Sequence, residues 1–592
     1  MESFPASHEG DTPSLEDDPA LGLSQRAKLE VLFAVMLGLF LGALDQTIVG
    51  PALPTIVSQL SGNDYYVWAV TIYLLTSTIT VPFWGKGSDI YGRKPVFMLG
   101  IVVFLVGSAL SGLSQNMGML ILFRGIQGIG AGALFPVALA IIGDLFTPAE
   151  RGKYQGLFGA VFGVAFVAGP LIGGWLTENI SWHWIFYVNV PIGIIALIVI
   201  QRLLPTVRTK DATRNFDIVG GAIFTVAISF LLVGLTNKQF GDWTDPTVGG
   251  FILVGIVGTL LFILAESRAK EPIVPLDLWK GRTYSASMLS VFFAAFAFFG
   301  AIVFLPRWFQ VVEGYSPTDS GLAALPLVVG LIGSSIVSGI VVARTGRYKW
   351  ILVGAIALIG VAMVLMTQLT KETPVPVLWA WMFLAGLGVG PTFSVFTVVI
   401  QNAVPFRQLG VATSNLTFFR QIGGSVALAF VGTIFATTFE EDLVPQMAAS
   451  GVPQQLIDQF SQGGGSFDTS SLTGVGDMGA AILASVPEQF RSFVEPYIPN
   501  IVEGIHGAFS LAVGQTFWLG VVGSVIAVIA ALAIKEIPLR HSNEAPVPTK
   551  AIDDAAAPAP AGAATASPTG ASSSASSSSA APHATKPAHQ TD

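Results

Sequence analysis

Cysteine is absent from the chain, which excludes a disulfide framework and any thiolate metal site and argues against a cysteine nucleophile. Histidine is scarce, with six scattered residues and none paired at ligand spacing. No nucleophile elbow accompanies them, so an enzyme is not expected. Charge is scarce as well: only 11% of the 592 residues are Asp, Glu, Lys or Arg, and the formal net charge of -8 leaves no basic footprint for nucleic acid. The first thirty residues are acidic and polar, which is unlike a cleaved signal peptide. What fills the chain instead is apolar: 52% hydrophobic residues, more than one soluble core of this size would hide.

A bilayer core of ~30 Å needs about 20 apolar residues in a helix. About fourteen segments qualify, near 31-53, 66-84, 95-114, 119-142, 154-176, 184-203, 217-236, 248-266, 284-306, 320-342, 350-369, 377-400, 410-436 and 511-534. The loops between them sort by charge. One side collects most of the basic residues, from Lys86, Arg93 and Lys94 through Arg151, Lys153, Arg208, Lys210 and Arg214 to Arg347, Lys349, Arg407 and Arg540. The other side has only Lys238, Arg307, Lys371 and Arg491. Short basic loops stay in the cytoplasm, so both termini are expected there. Outside the spans, residues 437-509 read as an acid-rich extracytoplasmic loop; its stretch PEQFRSFVEPYIPNIVEGIHGAF forms either short amphipathic helices or solvated loop. The Ala, Ser and Pro tail is expected to be disordered.

The chain repeats internally. GKGSDIYGRK, residues 85-94, follows the second span, and GIVVARTGRYK, residues 339-349, follows the tenth. Gly85, Gly92 and Arg93 recur at the same spacing as Gly339, Gly346 and Arg347, with Ala343 where Asp89 stands. This predicts two six-helix halves separated by two inserted helices, with a site near the midplane where the halves meet. The expected division is a polar cytoplasmic N-terminus at 1-28, a first bundle at 29-205, the insert at 206-282, a second bundle at 283-536 and a cytoplasmic tail at 537-592.

Asp45 stands alone in the apolar stretch LFLGALDQTIVGPALPTI. A carboxylate near the bilayer centre costs ~2.5–3.5 kcal/mol on insertion scales, so it implies a partner, a wet cavity or a proton. The other reading is a structural acid capping a kink at Pro51 and Pro54. Arginine keeps its charge at every working pH, so Arg124 and Arg420 cannot shuttle protons and act as fixed positive charges. For Arg420 a structural ion pair or carbonyl contact explains it as well. GSDIYGRK imitates a phosphate-binding loop, but Arg93 follows its second glycine and no Ser or Thr follows Lys94, so no nucleotide is expected.

These stretches carry a family resemblance. GKGSDIYGRK resembles the signature between helices two and three of the major facilitator superfamily, and GVAFVAGPLIGG, residues 163-174, resembles the antiporter motif of its fifth helix. LDQTIVGPALPT resembles the first-helix motif of the fourteen-helix drug:proton antiporters, the group containing the quaternary-ammonium exporters; RGIQGIGAGA is similar to their fourth-helix motif with a buried Arg. Gly50 and Pro51 depart from it, standing where an Asn-apolar pair is common.

The resemblance covers about 30-535 and implies an all-α polytopic fold of fourteen spans, two six-helix repeat bundles plus two inserted helices, in the plasma membrane. It implies a proton-coupled antiporter exporting amphipathic, often cationic small molecules by alternating access, as a monomer and without cofactor or metal. Export of lipids or endogenous metabolites is the alternative. Asp45 and Arg124 would couple protons. Gly85, Asp89, Gly92, Arg93 and Lys94 would form a latch, with Asp89 capping a helix of the other half and Arg93 pairing with Asp144. Gly163, Gly169, Pro170, Gly173 and Gly174 would favour exchange over leak; helix packing without function is the other reading. Tyr73, Gln127, Phe299, Gln310, Phe393, Asn415 and Phe418 fall on helices expected to line the cavity, where aromatic surface suits lipophilic cations.

Overall fold

The computed structural model describes residues 24-60, 66-204, 216-238, 241-457, 478-485 and 488-539. Most of the polar N-terminus and of the tail lies outside these residues, as do Arg208, Lys210, Arg214, Arg540 and residues 458-477. Every long segment is helical. The first half runs α1 (Gln25–Gln59), α2 (Tyr66–Tyr91), α3 (Arg93–Ser111), α4 (Met117–Leu145), α5 (Pro148–Asn179), and the broken pair α6 (Trp184–Tyr187) and α7 (Asn189–Leu203). The insert is α8 (Ile218–Asn237) and α9 (Phe251–Glu266). The second half runs α10 (Arg282–Val311), α11 (Pro317–Ala323), α12 (Leu325–Thr345), α13 (Lys349–Met366), α14 (Val375–Ala403) and α15 (Leu409–Ala449), followed by α16 (Met478–Ser485), α17 (Glu488–Val494) and α18 (Ile498–Leu532).

Thirteen helical segments among the described residues are long and apolar enough to cross a membrane. The 26-residue α2 is a further long helix and occupies the second of the fourteen expected positions. Within α2 the hydroxyls are satisfied internally: Thr76, Ser77 and Thr80 donate to carbonyls three or four residues back on their own helix.

Three boundaries differ from the sequence reading. α1 begins at Gln25, capped by Ser24, and not near residue 31, so Asp45 lies twenty residues into its helix. α15 continues through Glu440, Glu441 and Asp442 to Ala449. Acids on exposed turns extend a helix beyond the apolar run, and this one ends only near Gly451, whose φ of 86° suits glycine. α18 starts at Ile498 with Pro499 in its first turn, so long helices take in both ends of the expected loop at 437-509, and the described residues between them include the short α16 and α17.

One hydrophobic core gathers residues between Val31 and Leu204, and two more gather residues between Tyr284 and Leu539. The halves meet along α5 and α12. Gly152 lies against Gly339, Gly156 against Ile336, Gly159 against Ser335 and Gly163 against Ile332. Small residues at each step let the two backbones approach closely. A fourth core joins α2, both inserted helices and α15: Leu75 and Ile79 pack with Phe224, Ile228, Phe262, Phe418 and Ile422. The insert therefore covers the seam where α2 meets α15.

Candidate functional site: a buried ion pair and a basic-end latch

Asp45 is fully buried, and all its hydrogen-bond partners come from its own half. Arg124 Nη1 donates to its Oδ2 at 2.7 Å; Gln127 Nε2 and Asn189 Nδ2 donate to its Oδ1 at 2.7 and 3.1 Å. Arg124 and Gln127 are three residues apart on α4, which puts both on one face. Asn189 opens α7 and also donates to Ser108 Oγ, which in turn donates to the Phe186 carbonyl.

Arg124 has further company. Its Nη1 donates to Gln127 Oε1 at 2.9 Å, its Nε reaches the Ala69 carbonyl at 3.4 Å, and its guanidinium lies 4.2 Å over the Tyr73 ring. If Asp45 took up a proton, Arg124 would keep an amide oxygen, a carbonyl and an aromatic face, so its charge would not be stranded. Tyr73 and Gln127 belong to this charge cluster. Asn189 and Ser108 were missed by sequence reasoning; an Asn opening an otherwise apolar span was the available signal.

At the basic end, Asp89 accepts from the backbone N–H groups of Gly410 and Val411 at 3.0 and 2.9 Å, where α15 begins in the other half. The first N–H groups of a helix lack intrahelical partners and favour a negative charge. Arg93 holds this acid from behind: its Nη1 donates to Asp89 Oδ1 at 2.5 Å and to Ser88 Oγ at 2.7 Å, and its Nε donates to Asp144 Oδ2 at 2.8 Å. Gly92 turns the chain between α2 and α3 with φ 94°, and a side chain at Gly85 would meet Ser414 and the Gly410 carbonyl. Lys94 stands apart, donating to the Gln201 carbonyl.

The pseudo-equivalent corner in the second half lacks the acid. Ala343 stands there, and α5 is capped from its own chain by Thr147 and Glu150. A pair of amides bridges that side. Gln155 Nε2 donates to Gln401 Oε1 at 2.8 Å, and Gln401 Nε2 donates to the Leu139 carbonyl at 3.0 Å, tying α4 and α5 to α14.

The glycine motif of α5 faces both neighbours. Side chains at Gly169 and Gly173 would meet Thr47 and Ile48 of α1, at Gly163 Ile332 and Val328 of α12, and at Gly174 Thr318 of α11. Pro170 lies beside Gly321, and Thr47 Oγ1 donates to the Ala165 carbonyl at 2.8 Å.

The remaining expected cavity residues separate. Phe393 of α14 packs on Phe162 of α5 and Phe298 of α10, with ring centroids 5.4 and 5.6 Å apart, and so sits where the halves meet. Phe162 continues to Phe135 of α4 at 4.9 Å. Phe299 packs against Gly424, Gln310 donates to Ser320, Asn415 donates to Tyr284, and Phe418 packs at a tilt against Phe224 of the insert. Arg420 lies 4.2 Å over the Phe393 ring and donates to the Thr392 carbonyl at 3.1 Å.

Two helical bundles bridged at one end, with an acid–base pair buried inside one of them and helices long enough to cross a membrane, are the architecture of a polytopic membrane transporter rather than an enzyme, as the family match bears out. The chain belongs to the Major Facilitator Superfamily, which matches residues 35–428. It is 36% identical over 508 residues to the "Multidrug transporter protein MdtP" of Bacillus subtilis (strain 168), covering 84% of this chain and 93% of that one. It is 34% identical over 517 residues to "Multidrug resistance protein 3" of the same strain, covering 87% and 96%. Among solved structures, the proton:xylose symporter XylE has the same fold, with a TM-score of 0.52 at 14% identity over 86% of this chain and 95% of that one.

Proposed function

We propose that the protein is a proton-coupled antiporter of the plasma membrane that exports amphipathic compounds, cationic ones among them, as a monomer with both termini in the cytoplasm. The observation behind this reading is the Asp45 cluster: a buried carboxylate whose cationic partner has other acceptors to fall back on. The multidrug names of its relatives support the substrate class. In this reading, residues 29–205 and 283–536 rock about the α5–α12 seam. The Asp89 latch and the Gln155–Gln401 contact hold the cytoplasmic end shut while Asp45 stays enclosed; their release opens a water path to it. Each charge moved is worth ~2.3 kcal/mol per 100 mV, before any pH gradient is counted.

The test is transport by purified protein in liposomes. An imposed pH gradient should drive a cationic dye in the wild type, and Asp45→Asn should abolish the proton-linked component. Unchanged proton-linked movement in that variant would remove Asp45 as the carrier. Movement of a neutral lipid with no movement of dye would replace the drug reading with lipid export.

A further inference from the structure

In each half one guanidinium lies 4.2 Å over an aromatic ring: Arg124 over Tyr73 in the first half, Arg420 over Phe393 in the second. The first has a carboxylate at 2.7 Å. The second has none within ion-pairing distance among the described residues, and its one hydrogen bond there goes to the Thr392 carbonyl. The sequence explains the difference. From Arg282 to Phe439 the only acids are Glu313, Asp319 and Glu372, all in the connections and the short α11 between long helices. Asp45 is already committed to three donors.

Arg420 lies eleven residues into α15, about 16 Å along it, which is the middle of a ~30 Å hydrocarbon core. A permanent charge at that depth needs a counter-charge or a wet cavity, and a guanidinium presents five N–H donors in a fork that suits a planar oxyanion. Its platform, Phe393, is the ring that meets Phe162 and Phe298 between the halves. Phe393 is itself buried, while Arg420, Phe162 and Phe298 are half-buried, so the fork and two apolar rings lie accessible around it with one charged corner.

We propose that Arg420 is a substrate-binding residue that takes the acidic group, a carboxylate or sulfonate, of an amphiphile whose apolar body lies on Phe393, Phe298 and Phe162. The substrate supplies in the second half the negative charge that Asp45 supplies in the first. Acidic and zwitterionic amphiphiles therefore belong to the exported class, and a simple cation gains nothing from this corner. The inference rests on the transport reading for its purpose, but not on proton coupling.

The test uses two probes with one apolar body, pyrenebutyrate and the corresponding pyrenebutyl-trimethylammonium, titrated calorimetrically into the detergent-purified full chain. The wild type should bind pyrenebutyrate. Arg420→Gln should weaken that binding about tenfold or more, the scale of a lost charge-assisted pair, while leaving the cationic probe unchanged or tighter. Arg420→Lys keeps the charge without the fork and should fall between.

Absence of pyrenebutyrate binding to the wild type, an unaltered affinity in Arg420→Gln, or equal weakening of both probes would overturn the proposal. If Arg420→Gln does not fold, Arg420→Lys decides: weaker pyrenebutyrate with an unchanged cation supports it, and no change in either sinks it. No gradient is present, so failure of proton coupling leaves this result intact. Conversely, proton-driven dye export without acid binding would sink this inference alone.

Discussion

Arg124 donates to Asp45 across 2.7 Å in a space that leaves 2% of one side chain exposed and none of the other. The pair is asymmetric. Asp45 accepts a charged donor and two amide N–H groups, whereas Arg124 has Gln127 Oε1, the Ala69 carbonyl and the Tyr73 ring besides its acid. Losing the arginine should therefore hurt more than losing the acid. Arg124→Gln is expected to cost about 3–5 kcal/mol, as when a buried charge is left uncompensated, and Asp45→Asn clearly less. The double variant should be more stable than Arg124→Gln alone. Thermal unfolding of the four proteins in detergent checks this, and strict additivity of the two changes would contradict it.

The basic end is closed by two unlike devices, an ionic latch at α2–α15 and an amide contact at α5–α14. Each lost buried partner should shift the open–closed balance by about 1–3 kcal/mol, roughly five- to a hundredfold in population. The absence of cysteine makes the measurement direct, because a single Ser414→Cys reporter, buried beside Gly85, is the only thiol. Asp89→Asn and Gln401→Leu should each speed its reaction with a water-soluble maleimide added from the side of the basic loops, and together they should speed it further. Equal labelling in all four proteins would mean that apolar packing alone holds that end.

Much of this arrangement was legible in short motifs and little in the long helices. Asp89, Arg93 and Asp144 assemble as the loop motif implied, because a tight glycine turn and three charges at helix ends leave few other partners. Asp45 and Arg124 meet because a charge in hydrocarbon must find its opposite. Gln127 was harder to assign, since an amide on a helix that is apolar all round has no polar face to mark its direction. Asn415 and Phe418 were equally silent; each needed the position of a distant helix, α10 or the insert. The lengths of α15 and α18 escaped because the apolar run gives out before the helices do.

Gly169 and Gly354 separate packing from propensity. A side chain at Gly169 would meet Thr47, whose hydroxyl bridges α1 to the Ala165 carbonyl of α5. At Gly354 on α13 nothing lies within 4 Å. Gly169→Ala is expected to lower stability by about 1–3 kcal/mol through overpacking and to raise proton leak in liposomes. Gly354→Ala should be neutral or gain up to about 1 kcal/mol from helix propensity. A Gly169→Ala protein as stable and as proton-tight as the wild type would show that the α1–α5 approach tolerates widening.

The inserted helices are fastened to the seam in two ways of unequal strength. Lys86 of α2 pairs with Glu271 at 3.2 Å, but the carboxylate is 31% exposed, and pairs of that kind contribute about 0–1 kcal/mol. Phe224 of α8 is buried, with its ring 5.9 Å from Phe83 of α2, 5.0 Å from Phe262 of α9 and 5.3 Å from Phe418 of α15. One side chain thus touches the first half, the insert and the second half. Because lipid tails can refill part of a gap, Phe224→Ala should sit at the low end for a buried phenylalanine, about 3 kcal/mol, still several times the effect of Glu271→Gln. Unfolding temperatures of the two variants compare these directly. If Glu271→Gln proved the more damaging, the insert would be held by charge at its end and not by the aromatic contact over the α2–α15 seam.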